Sequence, residues 1–383
     1  MVNRNGRRGD RPSPRRQDAA KDVVLIGLGN IGSHAGPLVA RTNGIGRITL
    51  IDCDDYESKN IHAQDISLSS LGKPKVEVQS RRLRKINATL TVRTIRSRVE
   101  DVPLGALRAD VILTGLDSRL ARQYVNQAAW RLGVPWIDAG VDASGMLARV
   151  NVYAPGPGNP CLECAWDGND YAASALEQRY PCDATDHAST ATNAPASLGA
   201  VTAGIVAVEL QKLLSGDRSH GLVGRQVLVN LRDHTHFVTS FRHNPDCRFD
   251  HETWNIERLS QSPSRLTLDR ALQLDREDYT SVSSRALRLE GHHFARMQYC
   301  PRCNHHHGHA PSLADRIPTK DRRCPECGGA MVVRGFDRIE WLDARALDAS
   351  DGRRMLSSLG FRPGDIFAVR GPDVVRHYEC GGS

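Results

Sequence analysis

The chain has 383 residues, 40% of them apolar and 25% charged, with a formal net charge of +7. This is an ordinary globular composition, and at roughly 150 residues per domain it suggests about two domains with full-sized cores. It excludes fibrous classes, and the longest apolar run, Leu198 to Val208 before Glu209, is too short to cross a bilayer.

Residues 1–20 hold six arginines against Asp10 and Asp18, which is +4 of the total +7. They read as a disordered basic tail with no apolar stretch of the secretory kind, so a cytoplasmic protein is expected. The rest of the chain is close to neutral, which argues against a nucleic-acid partner despite the basic isoelectric point.

From Asp22 the pattern becomes that of alternating strands and helices. Val23 to Ile26 is a β-branched run typical of a buried parallel strand. A glycine-rich turn follows, then a helical pattern through Ala35, Leu38 and Val39. Arg47 to Ile51 reads as strand, Lys73 to Ile86 as helix, Thr91 to Ile95 and Asp110 to Thr114 as strands. Arg119 to Leu132 is a helix stopped by Gly133, and Val134 to Asp138 is a further strand. Residues 155–197 are rich in Gly, Pro, Asn, Ala and Ser, and read as a crossover before a strong helix from Gly199 to Leu214. Beyond Trp254 the composition turns polar, with a short helical stretch at Leu266 to Leu274 and a terminal hairpin at Asp365–Val369 and Val374–Tyr378. The expected fold is α/β: a doubly wound, Rossmann-like, mainly parallel sheet with a small C-terminal zinc-ribbon module.

Four expected segments follow: a tail over 1–20, a nucleotide-binding domain over 21–254, a linker or adaptor over 255–293, and a zinc ribbon with a β module over 294–383.

Gly27-x-Gly29-x-x-Gly32 sits between strand and helix, and Asp52 follows Gly32 by twenty residues at the end of the next strand. In that setting glycines let a phosphate approach the helix N-terminus while the acid takes a ribose hydroxyl. The motif leaves the nucleotide open. Asn60, Lys75 and the Thr114-Gly-Leu-Asp117-Ser118-x-x-x-Arg122 run suit a triphosphate better than a dinucleotide, since they supply an amide, an ammonium and a metal-binding carboxylate.

Seven of the ten cysteines lie in Cys-x-x-Cys or Cys/His clusters, a metal-binding pattern. Cys161-x-x-Cys164 supplies half a tetrahedral zinc site. Cys300-x-x-Cys303 and Cys324-x-x-Cys327, with twenty residues between the pairs, resemble a zinc ribbon with all four positions filled by protein. His305, His306, His307 and His309 between them read as a solvated loop, and Cys53 as a thiol buried beside the ribose strand.

In this order the glycine turn, Asp52, Asn60, Lys75, Asp117 and the Cys161/Cys164 pair with Cys247 resemble the ThiF/MoeB/HesA family of adenylating enzymes, relatives of ubiquitin-activating enzymes. The resemblance spans about residues 21–254. It implies ATP on Gly27, Gly29, Asn30 and Gly32, with Asp52 on the ribose, Asp54 and Ser118 beside the nucleotide, Asn60 and Lys75 on the phosphates, and Asp117 linked to Mg²⁺. One departure stands out: the family reads Asn-x-x-Arg-Gln, and this chain reads Asn60-Ile61-His62-Ala63-Gln64. His62, or an arginine from a partner's basic arm, is then the substitute cation, or the site is impaired. The family closes its first zinc site with a second Cys-x-x-Cys. Cys247 and His251 stand there, His243 being the other candidate for the fourth position, so two zinc ions per chain are expected. Cys182 lies where thiol-using relatives place a reactive cysteine, and a bystander thiol is the equal alternative.

The implied activity is ATP-dependent adenylation of the C-terminal carboxylate of a ubiquitin-like or sulfur-carrier protein ending in Gly-Gly, with transfer to Cys182 as an optional next step, in a homodimer. The alternatives are activation of a peptide or tRNA-linked carboxylate for cyclisation, and a non-catalytic nucleotide- and zinc-binding scaffold.

Overall fold

The computed structural model describes residues 20–177, 194–217, 221–274, 285–371 and 374–382. Apart from Ala20, the expected tail therefore lies outside the described residues, as does Cys182.

Five parallel strands come first: β1 (Lys21–Ile26), β2 (Ile45–Ile51), β3 (Thr91–Ile95), β4 (Val111–Thr114) and β5 (Trp136–Asp142). Three antiparallel strands, β6 (Leu147–Tyr153), β7 (Arg225–Asn230) and β8 (Thr235–Ser240), extend this sheet to eight, in the order β3-β2-β1-β4-β5-β6-β7-β8. Central strands such as Val23–Ile26 are buried on both faces, as covering by helices on each side requires. Helices α1 (Asn30–Val39), α2 (Lys75–Ile86) and, after the short α4 (Gly168–Leu176), α5 (Ala196–Ser215) pack on one face; α3 (Arg119–Leu132) packs on the other. The chain leaves β1 for β2 and β3 on one side, and returns for β4 and β5 on the other. That order reversal opens a crevice at the C-terminal ends of β1 and β4, the usual ligand position in such sheets.

Helix α5 is longer than the apolar run suggests. Its twenty residues have the length and composition of a membrane span, but it packs against α1, β5 and β6, with Leu198, Val206 and Leu210 in the core.

Residues 255–293, expected as a linker, instead supply β9 (Ile256–Arg258), α6 (Leu268–Leu272) and β10 (Ala286–Leu289) to a second sheet. That sheet runs β13-β10-β14-β15-β9, with β13 at Leu342–Asp343, β14 at Ile366–Arg370 and β15 at Val375–Glu379; a short α7 (Ala349–Gly352) precedes β14. It has its own core, which includes Leu268, Leu287, Phe294, Leu356, Phe367 and Tyr378. The cysteine ribbon is an insertion between β10 and β13, built on the two-stranded β11 (Phe294–Tyr299) and β12 (His306–Leu313). His306, His307 and His309 thus lie on a strand rather than in a loop, because they pair with Tyr299 and Gln298 across the hairpin or continue the same strand.

The two units meet along the segment before β4. Arg108 pairs with Glu379 at 2.8 Å, the Gly105 amide donates to the Gly364 carbonyl, and Trp254 stacks on His377 with ring centroids 4.0 Å apart.

Candidate nucleotide site and metal centres

The glycine turn shows what each glycine is for. Gly27 has φ +83°, and a Cβ there would come within 2.6 Å of the Gly115 carbonyl oxygen. A Cβ on Gly32 would lie 1.9 Å from the Gly27 oxygen. Both are needed for the turn itself. Gly29 differs: the nearest atom to a Cβ there is Gln64 Nε2 at 3.9 Å, so the protein leaves that side of the turn open. Open space beside the first turn of α1, whose N–H groups lack intrahelical partners, fits a phosphate.

Asp52, at the end of β2, ties down this turn. One of its oxygens accepts from the Leu28 amide at 2.7 Å, the other from the Asp54 amide at 2.9 Å. The Tyr56 hydroxyl donates to the Leu28 carbonyl at 3.0 Å and is itself held by Gln79. Lys75 opens α2, is 7% exposed, and places Nζ 2.9 Å from Asp54 and 4.0 Å from Asp52. Burial pushes the Asp52 carboxyl up, partly offset by Lys75. For Asp54 burial acts in the same sense, but the charge and hydrogen bond of Lys75 outweigh it and hold the carboxyl below its usual range. For Lys75, burial disfavours the charge and the two carboxylates more than restore it, so the ammonium stays charged. Cys53 is exposed, contrary to the sequence expectation. Desolvation and then Asp54 push its thiol up to about 11, which leaves it unreactive at neutral pH.

Asn60 is buried and spends its carbonyl oxygen on the Glu57 amide at 2.8 Å, leaving its amide nitrogen without a partner among the described residues. Asn30, expected on the nucleotide, acts as a strap: its amide donates to the carbonyls of Ala63, Ala194 and Pro195, joining the turn to the start of α5. Ala63 is buried at that strap, while His62 beside it is exposed. Asp117 is exposed just before α3 and has no hydrogen bond or ion pair among the described residues. Ser118 caps α3 by accepting from the Ala121 amide and donates to Glu177.

Sequence reasoning missed the group that holds the Asp117 loop. Asp138, fully buried on β5, accepts from Arg122, Arg149 and Thr114, each at 3.1 Å, and Arg122 also grips the Leu116 carbonyl. The available signal was an acid ending the apolar run Val134–Ile137, since a carboxylate inside a sheet demands cationic partners.

Cys161, Cys164, Cys247 and His251 bring four ligand atoms within 4.8 Å of one another. Cys161 and Cys247 sulfurs are 3.8 Å apart, and Cys164 Sγ is 3.2 Å from His251 Nε2. The edge of a tetrahedron with Zn–S bonds of about 2.3 Å is about 3.8 Å, so the donor set fits zinc. The His243 ring lies tilted against His251, with centroids 4.7 Å apart, but is outside the four-atom group. Glu163, also missed from sequence, is buried between the two cysteines and accepts from Gln123, Asn126 and Gln127, which fastens the knuckle to α3.

Cys300, Cys303, Cys324 and Cys327 form a second such group, with sulfurs 3.5 Å apart in the pairs Cys300–Cys327 and Cys303–Cys324. The two knuckles repeat one geometry. Asn304 and Gly328 adopt φ +60° and +68°, donating to the carbonyls of Cys300 and Cys324 at 2.9 Å. Both thiol sets suit a tetrahedral ion closed by protein.

These features define a nucleotide-binding α/β protein with its site at the switch point of the sheet. The chain belongs to the ThiF family, whose sequence profile matches residues 15–249. It is 31% identical over 153 residues to the molybdopterin-synthase adenylyltransferase of Escherichia coli (strain K12), covering 39% of this chain and 60% of that one. It is also 31% identical over 150 residues to the sulfur carrier protein ThiS adenylyltransferase of the same organism, covering 38% and 59%. The chain thus spans less than two thirds of the length of these relatives. Among solved structures, Escherichia coli MccB with ATP aligns at 25% identity and a TM-score of 0.49, over 61% of this chain and 67% of that one.

Proposed function

We propose that the protein uses ATP to adenylate a carboxylate. The observation that carries this reading is the open face of Gly29 beside the buried, charge-held Lys75, a phosphate cradle next to an ammonium. The naming of the relatives as adenylyltransferases supports it. In the reaction a carboxylate oxygen bonds to the α-phosphorus, the bond from that phosphorus to the bridging oxygen breaks, and pyrophosphate leaves. The protein contributes position and charge: the α1 N-terminus and Lys75 on the phosphates, the Asn60 amide nitrogen beside them, and Asp52 at the ribose. Mg²⁺, which neutralises the triphosphate when bound, would be held by Asp117, whose carboxylate is free among the described residues.

The substrate we propose is the C-terminus of a ubiquitin-like or sulfur-carrier protein ending in Gly-Gly, handled by a homodimer. Exposed Leu38, Val201 and Val208 on the neighbouring helices α1 and α5 support a dimer, and seven free thiols in two metal groups support a reducing, cytoplasmic setting. Onward transfer to Cys182 belongs to the same proposal. A second reading, nucleotide binding without catalysis, is favoured by Ala63, which puts a buried methyl where the family carries a cation. ATP–pyrophosphate exchange that depends on a Gly-Gly-ended ubiquitin-like protein separates the two. Exchange above background is expected, and ATP binding without exchange for any such carrier would leave the scaffold reading.

A further inference from the structure

Beside the nucleotide turn lies a second feature that the reaction itself does not use. The outer face of α2 and the segment 65–73 enclose a groove of about 450 Å³. Val78, Arg81, Arg82 and Lys85 are three or four residues apart, so they share one face of α2. Arg82 is neutralised by Asp65. Lys73, Arg81 and Lys85 are exposed and have no ion-pair partner among the described residues, so the groove carries three uncompensated positive charges. Between them the lining mixes the aliphatic Ile66 and Val78 with Ser67, Ser69 and Ser70, and Leu68, between Ser67 and Ser69 in the chain, is 76% exposed. No aromatic side chain lines it, so it lacks the stacking surface that single-stranded nucleic acid favours. Those three cations, with Ile66, Val78 and hydroxyl side chains between them, complement a peptide that alternates acidic and aliphatic side chains.

The position gives the groove a role. Its roof leaves the site directly after Gln64, the residue nearest the open side of Gly29, and its floor helix begins at Lys75. A chain bound along α2 would run towards Lys75, the residue placed on the phosphates in the adenylation reading. We infer that this groove docks an acidic, aliphatic segment of the protein substrate, upstream of the carboxylate that is activated. This rests on the adenylation reading above.

The test uses the full-length protein and a fluorescein-labelled peptide of alternating Glu and Leu, with a Gln-for-Glu peptide and a single-stranded RNA of equal charge as comparisons. The acidic peptide is expected to bind more tightly than the Gln peptide and the RNA. R81E/K85E, on exposed positions of α2, is expected to weaken its binding about tenfold, and raising salt to about 300 mM to weaken the wild type similarly. ATP affinity should be unchanged in that variant. Peptide affinity within about twofold of wild type in R81E/K85E overturns the inference. So does RNA binding that is tighter than peptide binding and lost on charge reversal, which would make this a nucleic-acid groove. If the wild type fails to bind ATP while peptide binding remains sensitive to the reversal, docking stands and the adenylation reading falls.

Discussion

Gly29 and Gly32 look alike in the motif, yet the structure gives them different tasks that substitution can separate. Alanine at Gly32 would drive Cβ into the Gly27 carbonyl at 1.9 Å, so Gly32→Ala should cost about 3 kcal/mol or more in stability. Alanine at Gly29 meets nothing closer than 3.9 Å. The Gly29→Ala protein should therefore fold, with ATP affinity down about tenfold or more because the methyl fills the phosphate position. Thermal melts with ATP titration check both; normal ATP binding by Gly29→Ala would remove the phosphate cradle. Lys75→Ala should likewise lose ATP binding. It should also flatten the acid limb of the stability curve. Asp54, held below its usual range by Lys75, contributes stability above the unfolded carboxylate value that disappears as pH falls through its folded value, and without Lys75 that slope goes. The turn, Asp52 and Lys75 were legible from spacing because they lie close together along the chain. Asn30 as a strap, Tyr56 under the turn and Asp138 behind Asp117 were not. Each works through a partner that tertiary packing alone supplies: Ala194 for Asn30, Leu28 for Tyr56, Arg149 for Asp138.

Helix α3 joins the two chemistries of the nucleotide domain. Asp117 and Ser118 stand at its start, and Gln123, Asn126 and Gln127 along its side hold Glu163 between the first pair of cysteines. The metal centre is also a long-range clasp, linking Cys161 to Cys247 across 86 positions. Closing a loop of that size is worth roughly 4 kcal/mol in the chain-entropy account, so Cys247→Ser should lower the melting temperature of the nucleotide domain markedly. It should also weaken ATP binding, because the knuckle and the α3 start share one rigid helix. Cys247→Ser melting at the wild-type temperature in metal-replete buffer would deny the centre this role. At this scale the sequence was legible where end signals were local: Ser118 and Gly133 bracket α3, and Thr91–Ile95 is β3 as expected. Strand β6 was passed over although Ala148, Val150 and Val152 alternate with Arg149 and Asn151, which is the period of a strand. Strands β9 and β13 have three and two residues, too few for any period to register. Only pairing with β15 and β10 makes them strands, and the brevity of β9 is why the start of 255–293 resembles a linker on paper.

As a whole the molecule is a nucleotide domain with a second sheet docked on it, and the ribbon hangs from that second sheet. The docking contact should respond to acid. Burial against Trp254, then the nearby charges of Arg288 and Arg131, hold His377 down at about 4, against an ordinary value of 6.5. Because the unfolded form takes up a proton first, stability should fall as pH drops from 6.5 to 4, by about 1–2 kcal/mol once solvent screening of this part-exposed ring is allowed for. His377→Phe keeps the stack without the proton and should flatten that window in pH-dependent melts; an unchanged slope would place the titration elsewhere. The two metal groups should likewise act independently. Cys300, Cys303, Cys324 and Cys327 are local to an insertion whose flanking strands β10 and β13 belong to a sheet with its own core. A ribbon with so small a cluster, Cys300, Cys324 and Met331 beside Cys327, needs its metal to fold. Full-length protein should therefore carry close to two zinc atoms, and Cys300→Ser close to one. In that variant the ribbon should become protease-sensitive while the second sheet stays docked and ATP affinity holds. One zinc in the wild type, or ATP binding lost with Cys300→Ser, would mean that the ribbon is wired into the nucleotide site rather than hung beside it.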